Sequence, residues 1–473
     1  MRKSLFYHLL TLAKLRAPGK YRVKKTWRLS FFSAFWKRRL IFLIVGNILA
    51  KSESWRQIMK NQPGRQGLPR WRAESCLFPA LPAQAAGILE ALPRILEQVW
   101  PLSRGHRRQL PADIHELSLL LTSQRGRLRQ NYWRRPAFVS AYLYYFLPWN
   151  LVRFCRLFAA LPLRPPAARA PGRPLLADAG AGPLAASIAL WISRPEWRSA
   201  QVTVFGLDAV RQPLELGAKL FAALARHCAE PAWQTLVAAG PLEALASLAP
   251  ERTGSGLSLE PWLAVAANVL NEIRAPRSAN IEAPDFGRFA MLLAAWRPFW
   301  QTGSQLLFME PGTRLGGTII MRLRAAALEL GLSPLSPCVH AAECPLDEAE
   351  KPGLPSRWCH FVFSALDAPE WLRELSRKAG LFKTSLTLSP LLLSAGAKLA
   401  QAPADALPAR VVSQTFPAGG QLARYGCCHA GLALLPDSRN LLSGSLCLAA
   451  RPEAETRDAH SGALILAPRK TRN

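Results

Sequence analysis

Between residues 74 and 163 apolar side chains recur at every third or fourth position, as in Ile88-Leu89-Glu90-Ala91-Leu92-Pro93-Arg94-Ile95-Leu96 and again from Ile114 to Leu121. That spacing predicts helices with one apolar stripe each, and Asp113 is placed to start the second of them. From Pro174 the period shortens. Pro174-Leu175-Leu176-Ala177 and Gln201 to Asp208 read as strands around a helical Ala185 to Trp191, and Leu263 to Leu270 and Ser304 to Glu310 continue the same alternation. Strand and helix in turn predict an open, doubly wound α/β sheet. Beyond Phe382 apolar and polar residues alternate at Phe382 to Leu393, Ala409 to Gln414, Gly431 to Leu435 and Leu441 to Ala449, which predicts short strands between Pro and Gly turns. The Pro-rich stretch Leu163 to Gly172 reads as a boundary. The predicted organisation is a basic arm over 1–73, a basic helical domain over 74–163 and an α/β domain over 174–400. A β-rich part over 401–450 and a polar, frayed tail over 451–473 follow.

The 473 residues are half apolar, enough for a large core and more than one ordinary domain. Formal net charge is +29, and the first 72 residues hold eighteen Lys or Arg against the single acid Glu53. Such an arm suits a polyanion. Nucleic acid leads, because Trp27, Trp36, Trp55 and Trp71 interleave the cations and can stack on unpaired bases. The rival is a membrane surface, but the apolar run Leu40 to Ala50 is too short to span one, so no stable insertion is expected. An arm this basic has little reason to fold alone, and a disordered segment or a start assigned upstream of the true one accounts for it equally well. Further on, Arg125, Arg127, Arg129, Arg134 and Arg135 surround Tyr132 and Trp133, in a pattern that fits RNA contact. The following Tyr142 to Leu147 reads as the core of a helical bundle.

After the first α/β strand comes Asp178-Ala179-Gly180-Ala181-Gly182, then a helix. Glycines at 180 and 182 let the backbone turn tightly and a ligand approach it, and Asp178 can accept from a polar ligand group. Asp208 closes the next strand about thirty residues on, where an open α/β sheet holds a ribose. Dinucleotide folds use G-x-G-x-x-G; this pattern is similar instead to the first two motifs of class I S-adenosylmethionine-dependent methyltransferases. Asn268, Asn271 and Glu272 end or follow a strand on the ligand side, as a second substrate pocket would require and as ordinary strand ends also do.

Seven of the nine cysteines lie after residue 227, and five of these gather in Pro337-Cys338-Val339-His340 with Cys344-Pro345, in Trp358-Cys359-His360-Phe361, and in Tyr425-Gly426-Cys427-Cys428-His429. Core cysteines have no reason to sit beside histidines. The odd count and the absence of a secretory signal argue against a disulfide framework and for a reducing, cytoplasmic setting, or a mitochondrial matrix if the basic arm is a transit segment. The spacing Cys338-x5-Cys344-x14-Cys359 departs from zinc ribbons. Three readings stay open: an iron–sulfur cluster on four thiolates, a zinc ion on three cysteines and His340, His360 or His429, or coincident buried thiols.

Together these phrases resemble the small-ribosomal-subunit methyltransferase-like assembly factors, whose mitochondrial members include the Rsm-twenty-two protein and methyltransferase-like protein seventeen. The resemblance rests on Asp178 to Gly182, Val269-Leu270-Asn271-Glu272, Glu310-Pro311-Gly312-Thr313, the three cysteine phrases and Gly431-Leu432, and it covers roughly residues 85 to 450. It implies a class I methyltransferase fold with a Rossmann-like doubly wound sheet, an N-terminal helical domain and a small β-rich, cysteine-containing C-terminal appendage. It also implies S-adenosylmethionine held by Asp178, Gly180, Gly182, Asp208 and Asn268, and a 4Fe-4S cluster on Cys338, Cys344, Cys359 and Cys427, with Cys428 the rival for the last place. The implied partner is the small ribosomal subunit through its rRNA, bound by a monomer. Two roles follow: an assembly or translation factor that only binds, or an active rRNA methyltransferase. No amine-methylating Asn-Pro-Pro-Tyr and no nucleophilic cysteine in the sheet names a target base, and a zinc-binding RNA-binding protein is the distant alternative.

Overall fold

The computed structural model describes residues 70–124, 131–166, 172–247, 259–272, 286–301, 303–347, 357–396 and 402–469. The basic arm with Trp27, Trp36 and Trp55, the run Leu40 to Ala50, and Arg125, Arg127 and Arg129 lie outside them.

Strand β1 (Ala73–Cys76) precedes helices α1 (Ala83–Val99), α2 (Arg104–Leu121), α3 (Pro136–Ala141) and α4 (Leu147–Ala160), with a π-helical turn, Tyr142–Phe146, between the last two. The α/β part runs β2 (Arg173–Ala179), α5 (Ala185–Ser193), β3 (Thr203–Asp208), α6 (Arg211–His227), β4 (Gln234–Ala239) and β5 (Leu259–Ala267). It continues through α7 (Phe286–Ala295), α8 (Arg297–Gln301), β6 (Gln305–Glu310), α9 (Arg314–Glu329), β7 (Leu332–Ser336), β8 (Phe361–Ser364), α10 (Glu370–Lys378) and β9 (Ser385–Ala395). Strands β10 (Ala406–Val411), β11 (Phe416–Ala418), β12 (Gln421–Cys428), β13 (Gly431–Leu435), β14 (Ser445–Ala450) and β15 (Leu464–Ile465) complete the chain.

The larger sheet has the order β4-β3-β2-β5-β6-β9-β7, with β8 also paired to β9. Strands β4 to β6 are mutually parallel, and β9 is antiparallel to both β6 and β7. Six parallel strands, with the late antiparallel β9 slotted between β6 and β7, make this the class I S-adenosylmethionine-dependent methyltransferase fold. Strand β2 is buried along nearly its whole length, which explains its apolar run without alternation. Helix α5 is buried all round, since it is covered on its far side by α4, whose Phe154, Cys155, Leu157 and Phe158 join the same core. Arg156, also on α4, donates to the carbonyls of Ser364 (2.6 Å) and Phe78 (3.0 Å) and pairs with Asp367 (2.8 Å), so one buried guanidinium ties the helical layer to β8.

The second sheet has the order β1-β14-β10-β12-β13-β15. Three expectations change here. Residues 74–76, assigned by their position to the helical region, form with Ala73 a strand antiparallel to β14, because that edge offers free backbone groups to a chain already extended. Trp71, counted among the base-stacking tryptophans, is 3% exposed and donates to the Pro436 carbonyl at 2.7 Å. Within the tail, residues 463–466 are packed rather than frayed: Leu464 and Leu466 are buried, and β15 runs parallel to β13. Its apolar run Ala463 to Leu466 supplies the burial that a polar tail lacks.

Candidate functional site

At the carboxyl edge of the larger sheet the order reverses between β2 and β5, and a crevice opens there in such folds. Gly180 (φ +63°) and Gly182 (φ +48°) turn the chain from β2 toward α5, and Leu184 also adopts the left-handed region. The two glycines are used differently. A Cβ on Gly180 would lie 2.4 Å from the Val269 side chain, whereas one on Gly182 would meet nothing within 4 Å. Gly180 therefore admits a protein side chain, and Gly182 presents open backbone.

The acids of this edge accept from neighbouring protein groups. Asp178 is 1% exposed, and its Oδ2 accepts from the Ser187 hydroxyl (2.7 Å) and amide (3.3 Å), capping the first turn of α5. Burial pushes its carboxyl up to about 6. Asp208 accepts from the amides of Gly182 (2.9 Å) and Val210 (3.0 Å), bridging the glycine turn to the end of β3. Burial raises its pKa as well. Asn268 ends β5 at φ +58°, a conformation asparagine tolerates, and its amide donates to Met309 at 2.7 Å. Next to it Glu310, fully buried, accepts from Leu270 N (2.8 Å) and Asn271 Nδ2 (2.6 Å), and burial pushes it up to about 7. Glu310 and Asn271 form a pair that single-position motif reading did not assign. Tyr132 and Tyr142 border the same edge: burial first, then the Glu272 and Asp208 carboxylates, hold their phenols protonated. Their rings lie 6.1 Å apart, with Trp133 4.8 Å from Tyr142.

The cysteines lie elsewhere. Cys338 follows β7, Cys344 comes six residues later, Cys359 precedes β8, and Cys427 is the penultimate residue of β12; all four line one cavity. Strand alternation decides between the neighbours on β12. Cys427 faces this cavity, while Cys428 points to the opposite side, where its thiol lies 3.3 Å from the Gly431 carbonyl in a separate core. Burial and the other cavity thiols raise Cys359 and Cys427 well above the ordinary thiol range, and burial pushes Cys344 to about 11. Two arginines line the cavity. Arg324, 3% exposed, donates from Nε to Cys338 Sγ (3.2 Å) and from Nη2 to the carbonyls of His340 and Ala342. Arg410 is fixed by the carbonyls of Pro337 and Gly444. His340 Nε2 lies 3.2 Å from Cys427 Sγ, and burial, then Arg324, push its imidazolium down to about 4, which leaves the ring neutral. Among the described residues no three His, Cys, Asp or Glu side chains are gathered around a single-ion position.

A sequence profile described as mitochondrial small ribosomal subunit Rsm22 matches residues 138–431, well over half of the chain. The chain belongs to the Rsm22 family. The match spans the glycine turn, the Glu310 phrase and all four cavity cysteines. No curated protein matches the sequence. Among solved structures, the chain is similar to a human methyltransferase 10 domain containing protein, at 9% identity over 53% of this chain and 80% of that one, with a TM-score of 0.24. A Listeria monocytogenes protein described as a class I S-adenosylmethionine-dependent methyltransferase shares 11% identity over 68% of this chain and 90% of its own, with a TM-score of 0.27. A type I restriction-modification methyltransferase subunit from Streptococcus thermophilus shares 12% over 48% of this chain and 40% of its own, with a TM-score of 0.22. Among the described residues no helix is long and apolar enough to cross a membrane.

Proposed function

We propose that this Rsm22-family chain is a small-subunit assembly factor that contacts rRNA, binds S-adenosylmethionine at the β2–β5 edge and carries a 4Fe-4S cluster on Cys338, Cys344, Cys359 and Cys427. The observation that carries the reading is the convergence of these four thiols, from three separate stretches, on one cavity flanked by two buried arginines. Four thiolates around a cluster of this type leave a net negative charge, which Arg324 and Arg410 offset. The rival occupant is a zinc ion on three of these thiols and His340, whose Nε2 lies 3.2 Å from Cys427 Sγ. The cavity shares no lining residue with the glycine turn, so the cluster supports the fold where the β12 sheet meets α9 and β9.

At the crevice the residues suit an adenosyl ligand. Gly182 offers open backbone, Asp208 stands where a ribose is held, and Asn268 closes the opposite strand. S-adenosylmethionine, when bound, supplies an electrophilic methyl group; Tyr132, Tyr142 and Trp133 supply flat walls that exclude water beside it. The second reading, active rRNA methylation, draws on those aromatics and on Glu310 beside the crevice, whose carboxyl burial raises to about 7. Methyl transfer needs proximity more than acid–base groups.

Replacing the gene by alleles encoding Asp208→Ala or Cys338→Ser separates the roles. The assembly reading expects Cys338→Ser to accumulate immature small subunits and Asp208→Ala to leave every rRNA methyl group in place. Loss of one methyl group in the Asp208→Ala strain would establish the enzyme instead.

A further inference from the structure

A second cleft, of about 240 Å³, lies beside the cysteine cavity. Trp358, His360, Arg357, Tyr425 and His460 line it, and Leu346 and Val412 form the wall it shares with that cavity. Its surfaces are flat and aromatic, with one arginine among them. Trp358 and His360 stack with ring centres 5.0 Å apart and planes 22° from parallel, and Tyr425 is braced by Phe416 at 4.5 Å. His360 donates from Nδ1 to the Trp358 carbonyl at 3.1 Å, which fixes the tautomer and makes Nε2 an acceptor. Arg357 is steadied by the Ser461 carbonyl (3.2 Å), and the nearby Asp458 is already engaged by Ser461 N and Oγ at 2.7 and 2.6 Å.

We infer that this cleft takes one unpaired nucleotide of a single-stranded RNA, with the base against Trp358, His360 and Tyr425 and the phosphate near Arg357. Aromatic faces accept any base, an acceptor imidazole suits an exocyclic amine, and a single arginine at the mouth suits one phosphate. The inference rests on the rRNA-contact reading and deepens it. It also gives the cysteines a second consequence, because three of the stretches that hold them build the cleft: Leu346 stands two residues from Cys344, Trp358 and His360 flank Cys359, and Tyr425 is two residues before Cys427. Tying those thiols together fixes the walls of the cleft.

The test uses the full chain, a 5′-labelled single-stranded oligouridylate and fluorescence anisotropy, with iron content checked for each variant. Arg357→Ala with His360→Ala is expected to weaken binding roughly tenfold at unchanged iron content, and Arg357→Ala alone to lower the salt slope by about 0.7. A 4-thiouridine in the oligonucleotide is expected to cross-link to the peptide that contains Trp358 or Tyr425. Unchanged affinity of the double variant, with cross-links elsewhere, overturns the cleft while leaving rRNA contact intact. Wild-type protein that binds no oligonucleotide overturns both. Calorimetric binding of uridine monophosphate that the double variant loses, with oligonucleotide affinity unchanged, overturns the RNA assignment in favour of a free nucleotide.

Discussion

The glycine edge and the cysteine cavity solve opposite problems. At the edge, every acid already has protein partners: Asp178 with Ser187, Asp208 with Gly182 and Val210, and Glu310 with Leu270 and Asn271. That region folds without help, and a ligand adds only to its open side. In the cavity, thiols face one another and two buried guanidiniums across free space, with burial raising three thiol pKa values. The proposed cluster, which takes its ligands as thiolates, would balance the two buried cations. One region binds by geometry and the other by charge.

Breaking the cavity is therefore expected to have the largest effect. Cys359→Ser should release the metal and lower the thermal midpoint by 10 °C or more, on the order of 3 kcal/mol or greater for a domain of this kind. An unchanged melting curve would separate the thiols from stability. Arg324→Met removes the donor to Cys338 and two carbonyl partners, and denaturant titration should show a loss of about 2–4 kcal/mol.

The two glycines sharpen the comparison within the edge. Gly180→Ala meets both a left-handed backbone and Val269, so a loss of about 2–4 kcal/mol is expected, against about 1 kcal/mol for Gly182→Ala. Calorimetry with S-adenosylmethionine should reverse that order, with Gly182→Ala the more damaging per unit of stability lost. Equal effects on binding and stability would place the ligand elsewhere.

The smallest effect concerns pH. Glu310 titrates near 7 in the folded chain and near 4.5 when unfolded, so the folded state holds the extra proton. Its contribution is therefore complete below about pH 4.5 and is lost as pH rises toward 7. Glu310→Gln should flatten that slope. Asn271 can turn its otherwise unpartnered Oδ1 toward the new amide, so the variant should remain folded. A slope that survives the substitution assigns the titration to another group.

Much of this was legible in the sequence. The strand–glycine–helix passage at 174–191 appears as read, because a buried parallel strand and a glycine turn leave a local signature. The late strand order was not legible, since the insertion of β9 between β6 and β7 depends on which edge is free, and no local pattern records that. Sequence located the cysteines and preferred Cys427 over Cys428 only through the family resemblance; the pleat of β12 turns the two side chains to opposite sides. Arg324 and Arg410 escaped notice because arginines are numerous here, and only burial beside sulfur distinguishes these two. Asp178 shows the reverse case. Its position was read correctly, but its carboxylate is turned inward to cap α5, a role that the motif alone does not reveal.

The central claim is that the cavity is built for a cluster. Iron and acid-labile sulfide analysis of anaerobically purified chain, beside a Cys338→Ser variant, tests it most directly. The account predicts about four iron and four sulfide per chain, lost in the variant. Stoichiometric zinc without sulfide in the parent protein would contradict it.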